Sequence, residues 1–279
     1  MEDADALNRL AALPGVADAV AAARQACTSL RWHRALRRRA AAAAAEAGAR
    51  AARASALLEG ADLPLDRVRD QLRGAGALPT DAVGATVSGA LRATVEAGRL
   101  GEVTRRSPAQ ALARLHTAAA AGLVPDDVLG RPRRPGELPR DLGGSARPAP
   151  PTEVVHARLD ALGGLLSAGG DVPTLVLAAV AHAEVLVLRP FVAGNGVVAR
   201  ALFRAVVVDR GLDPTGVAVP EVGFAAAGVP GYVAALAGYE SGSPDGVAAW
   251  LRHCAEAVSA GAAEGVAVAD AVLAGRLGS

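Results

Sequence analysis

Asn195 sits between Gly194 and Gly196, where an apolar run gives way to a fresh helical pattern. Glycines in that setting admit positive φ and let the backbone approach a ligand. The helix that follows offers N–H groups without intrahelical partners, so Gly-Asn-Gly here is suited to cradling a phosphate. Arg200 falls one turn into that helix, on the face that can reach the same anion. Arg189, just upstream, is a further cation able to attract phosphate. Taken alone, Gly-Asn-Gly is also a common turn.

Two helices must hold these residues. Positions 172–188 are apolar on nearly every face except at His182 and Glu184, which predicts a buried central helix capped by Asp171 with Pro173 in its first turn. Positions 196–210 predict the second, with Gly211 as its stop signal. Upstream, 18–54 reads as one or two alanine- and arginine-rich helices, followed by helices over 65–72, 80–99 and 108–121. Their unequal lengths indicate no repeat array. Positions 129–151 carry too many prolines and glycines for a helix and read as a long surface loop.

Composition agrees with an all-α chain. Of 279 residues, 52% are hydrophobic and 20% charged, with a formal net charge of +1, so a substantial core can form and neither disorder nor a broadly basic surface is indicated. Only 3% are aromatic, so Ala, Val and Leu must fill the core, which favours closely packed helices. All 29 basic residues are arginine, which excludes a phosphate-loop lysine and a Schiff-base lysine. Cys27 and Cys254 stand far apart with no histidine cluster, so no metal site is expected. No apolar run reaches the roughly 18 residues of a membrane helix and the start is acidic, so the expectation is a cytoplasmic protein without membrane contact.

The block from Arg189 to Arg200 resembles the signature of the Fic (filamentation induced by cAMP) family, H-P-F-x-(D/E)-G-N-G-R-x-x-R, matching at Pro190, Phe191, Gly194, Asn195, Gly196 and Arg200. Similarity continues through His182, through Ala201-Leu202-Phe203-Arg204, and through Gly231-Tyr232 to Leu236 and Trp250, across roughly 105–260. The resemblance implies a Fic-type helical bundle. It divides the chain into an N-terminal helical region (1–104), a core (105–260) and a C-terminal helix or tail (261–279). It also implies transfer of AMP from ATP to a hydroxyl side chain of a target protein. In that family a β-hairpin flap follows a Leu-His helix, here Leu115-His116; residues 135–147 are either that flap or an ordinary connecting loop.

Three positions depart from the signature. Arg189 replaces the family's catalytic histidine, and an arginine stays protonated and cannot act as a base. Ala193 replaces the metal-binding acid, and Val197 the first phosphate-binding arginine, which argues against Mg²⁺ and against efficient transfer. His182 lies about two helical turns before Arg189 and reads as a packed helix histidine, not a substitute base. The implied function is a nucleotide-, phosphate- or protein-binding relative of the adenylyltransferases, with ATP or another nucleotide as ligand. A slow or unconventional AMP- or phosphoryl-transferase is the alternative.

Ser55-Ala56-Leu57-Leu58-Glu59-Gly60 resembles the family's inhibitory motif, S/T-x-x-x-E-G/N. There the glutamate pairs with the last signature arginine, so Ser55, Glu59 and Gly60 are expected at Arg200; an ordinary helix end with a glycine stop is the other reading. The arginine-rich stretch 31–39, with Trp32 and His33, fits a solvated helix face better than a nucleic-acid surface, given the balanced charge. The expected partner is a protein, with a homo-oligomer left open.

Overall fold

The computed structural model describes residues 2–140, 148–168 and 172–276, with side chains from residue 5 onward. Among them the fold is helical: α1 (Glu2–Ala11), α2 (Val16–Arg31), α3 (Leu36–Leu57), α4 (Leu65–Arg73), α5 (Ala82–Leu100), α6 (Val103–Arg106), α7 (Pro108–Ala120), α8 (Thr152–Ser167), α9 (Thr174–Leu188), α10 (Asn195–Asp209), α11 (Pro220–Ala226), α12 (Gly228–Glu240) and α13 (Pro244–Leu273). No strand occurs among the described residues, and the only β-type pairing is an isolated bridge between Ala121 and Val124.

At the centre, α9 and α10 pack against each other, with α3, α5 and α7 on α10 and α13 on α9. Residues 195–207 of α10 are all buried, which explains why that helix shows no polar stripe. With so few aromatic rings, the bundle closes through small residues instead. A Cβ at Gly89 of α5 would stand 2.0 Å from the Ala119 carbonyl oxygen of α7, so only glycine allows that spacing. The few large side chains act as ties: the buried Trp250 indole of α13 donates to the Ala179 carbonyl of α9 at 2.9 Å.

Several expectations change in detail. The boundary at 260 falls inside α13, which runs unbroken for 30 residues. No element is assigned to 152–167 from the sequence, yet α8 forms there and buries Val155, Leu162 and Leu166 despite Gly163 and Gly164. Asp171 lies outside the described residues, and Pro173 precedes α9 as its cap instead of entering its first turn. Residues 141–147, part of the stretch that reads as either a hairpin flap or a connecting loop, also lie outside them; the flanking 129–140 and 148–151 contain no strand. No single helix among the described residues is long and apolar enough to cross a membrane.

Candidate functional site

The chain leaves α9 through Arg189, whose φ of 44° and ψ of 62° make it the sole non-glycine residue with positive φ among those described. Such a conformation costs about 1–3 kcal/mol and needs surroundings that impose it. Arg133, almost fully buried, supplies them: its Nε donates to the Arg189 carbonyl at 3.0 Å and its backbone N–H to the Pro190 carbonyl at 2.7 Å. Asn195 closes the loop from the other end. Its Oδ1 accepts from the Phe191 N–H and its Nδ2 donates to the Phe191 carbonyl, both at 2.9 Å.

Beneath the loop, the Phe191 ring stacks on His116 with centroids 3.9 Å apart and planes at 8°. His116 Nδ1 accepts from the Gly130 N–H at 2.9 Å, and burial pushes its pKa down to about 4, so the ring packs as a neutral group. Gly194 then takes φ 78° and α10 begins, which leaves its first N–H groups without intrahelical partners.

An anion already lies over that helix end. Gly60 ends α3 with φ 81°, while its N–H bonds the Leu57 carbonyl at 2.9 Å and the Ala61 N–H bonds the Ala56 carbonyl at 3.0 Å. This is the glycine stop, and the same turn carries Glu59 onto α10. A Cβ at Gly196 would stand 1.9 Å from Glu59 Oε1, so the carboxylate rests directly on the backbone at the N-terminus of α10.

Glu59 is also paired. The Arg200 guanidinium donates to Glu59 Oε1 at 2.7 Å, to Ser55 Oγ and the Ser55 carbonyl at 2.9 Å each, and to the Tyr232 hydroxyl at 3.5 Å. Burial opposes its charge, but the Tyr232 oxygen and the Glu59 carboxylate hold its pKa above the ordinary arginine value. The Tyr232 hydroxyl in turn lies 2.5 Å from His182 Nε2, inside a cage of Phe203, Phe224, Tyr232 and Trp250. Burial, then the Arg200 charge, drives the His182 pKa well below its usual value, so this ring too is neutral.

A cleft of about 310 Å³ opens beside Glu59, lined also by Ala82 and Thr86 of α5, Leu123, Arg140, Ala193, Gly194 and Val197. Of the residues singled out in the sequence, Glu59 and Gly194 line it and Gly196 lies under the carboxylate. Asn195, Arg200 and Ser55 are buried behind it, while Arg189 is half-buried at the end of α9 and is not part of its lining. The donor set does not suit Mg²⁺. Among the described residues Glu59 is the only carboxylate on the wall and is held by Arg200, and Ala193 offers no oxygen side chain. Motif reasoning missed Arg133, Arg140, Thr86 and the role of Tyr232, because each is brought to the site by tertiary packing, with no local pattern to mark it.

Comparison with known proteins matches residues 107–207 to the Fic/DOC family. A Fic family protein from Desulfovibrio desulfuricans G20 superposes with a TM-score of 0.70 at 21% identity, covering 91% of this chain and 74% of that one. Fic-1 from C. elegans superposes with a TM-score of 0.67 at 17% identity, covering 92% and 73%. At such identities the likeness establishes the fold. No curated protein matches the chain significantly.

Proposed function

Residues 107–207 match the Fic/DOC family, and from that likeness we propose that the chain is a degenerate relative of the protein adenylyltransferases. On this reading it binds a nucleotide phosphate, or a partner protein, in the cytoplasm without fast transfer. The observation that carries the reading is the Glu59 carboxylate seated on the α10 N-terminus and paired with Arg200 at 2.7 Å. A cradle that grips its own anion has kept the geometry for phosphate, whereas Arg189, Ala193 and Val197 supply no base, no metal ligand and no phosphate cation.

The residues divide the work accordingly. Asn195, Arg133 and His116 shape the loop, and the α10 N–H groups with Arg200 provide positive potential. Glu59 and Ser55 hold Arg200 away from ligand, so Ser55, Glu59 and Gly60 together form an internal block. Losing a general base typically costs about 10²–10⁴-fold by itself, and neither His182 nor His116 is placed to replace it. His182 is sealed in its aromatic cage and His116 lies beneath Phe191.

The test is restoration. Arg189→His, Ala193→Asp and Val197→Arg combined with Glu59→Ala are expected to give labelled self-modification from α-labelled ATP, while Glu59→Ala alone binds ATP and yields no product. A folded quadruple variant without product counts against retained geometry, and transfer by the unmodified protein that is lost with Asn195→Ala establishes the slow transferase instead.

A further inference from the structure

Position 197 is valine and Arg200 is engaged on every side, so among the described residues a polyphosphate entering the cleft meets a wall with a single remaining cation, Arg140. We propose that Arg140 binds the β- and γ-phosphates of a nucleoside triphosphate in this cleft, without a divalent cation. This rests on the reading of the cleft as a nucleotide site.

The placement of Arg140 is fixed although its side chain is exposed. Its backbone N–H donates to the Val192 carbonyl at 2.8 Å, and seven residues earlier the Arg133 N–H donates to Pro190 at 2.7 Å, so the intervening segment lies along the signature loop. Of the other arginines at 131–140, Arg134 is exposed and does not line the cleft, and the remaining two are committed elsewhere. Arg131 pairs with Glu137 through two contacts of 2.8 Å, and Arg133 donates to the carbonyls of Arg189 and Pro150. Arg140 forms no ion pair or side-chain hydrogen bond among the described residues, while it shares the cleft wall with Val197, Ala193 and Gly194. A tethered guanidinium without a partner among the described residues, beside an apolar replacement for a phosphate residue, offers a planar fork suited to phosphate oxygens. Electrostatics point the same way: with Glu59 displaced, the described residues offer Arg140 on the wall and the released Arg200 behind it, and no carboxylate in the lining, so a polyanion gains and a neutral ligand does not.

The discriminating experiment titrates ATP and AMP in EDTA into the Glu59→Ala protein, with and without Arg140→Ala, using Arg134→Ala as an exposed neighbouring control. Arg140→Ala is expected to weaken ATP about 10- to 100-fold and AMP by less than about threefold, since AMP lacks the distal phosphates. Adding Val197→Arg to the Arg140→Ala protein is expected to recover most of the ATP affinity, which a merely structural role would not do. Equal losses for ATP and AMP, or an unchanged ATP affinity, overturn the assignment of Arg140 and leave the nucleotide site standing. If the Glu59→Ala protein binds neither nucleotide, the nucleotide reading falls and takes Arg140 with it.

Discussion

Arg200 and Arg204 lie one turn apart on α10, both buried and both paired with a glutamate, yet they are built differently. Arg204 grips Glu221 through two contacts of 2.9 and 2.8 Å and adds the carbonyls of Ala218 and Gly216. Its side chain and that of Glu221 are 6% and 3% exposed. Arg200 meets Glu59 through one oxygen, and Glu59 lines the open cleft with its side chain 12% exposed. A two-point pair with every partner supplied by the fold is a structural staple. A one-point pair at a cleft wall is a contact that a phosphate can take over, because the guanidinium keeps Ser55 and Tyr232 when the carboxylate leaves.

The largest effect is expected at the staple. Glu221→Ala strands a buried guanidinium and should lower stability by about 3–5 kcal/mol in urea unfolding. A loss under about 1 kcal/mol would erase the distinction between the two pairs.

Acid should act on the Arg200 side, where His182 adjoins Tyr232 and His116 underlies the loop, both neutral in the fold. The unfolded chain binds protons on these rings below about pH 6.5, while folded His116 waits until about pH 4. Stability is therefore full above pH 6.5 and declines as pH falls toward 4, by up to about 3 kcal/mol from His116. His116→Gln should flatten that decline in a pH series of thermal melts, and an unchanged slope would show that the ring does not stay neutral.

Glu59→Ala is expected to cost less, about 1–2 kcal/mol, because water reaches the cleft and Arg200 keeps its other partners. A loss as large as that of Glu221→Ala would make Glu59 a staple as well. Smallest of all is the metal effect: with alanine at 193, chelating divalent cations should change nucleotide affinity by no more than about threefold in calorimetry.

Much of the helical framework was legible from periodicity. α9 announces itself by an apolar surface all round, and α10 by the glycines at both ends. The meeting of Glu59 with Arg200 was legible through a motif resemblance, since 141 positions separate the two residues and no local pattern links them. What stayed hidden depends on tertiary packing. α8 has paired glycines at 163 and 164 that weaken its helical signal, yet burial of Leu162 and Leu166 stabilises it. Arg133 reads as one more charge in a proline-rich loop, while in the fold it is buried and holds the strained Arg189 carbonyl. Arg140 likewise becomes significant only once its backbone is tied to Val192.

Calorimetric titration of ATP in EDTA into the wild-type protein and into Glu59→Ala addresses the block at Arg200. A carboxylate occupying the phosphate place predicts weak binding to the wild type, and saturable binding at least about tenfold tighter to Glu59→Ala, with no labelled product from either. Equal affinities in the two proteins would contradict it.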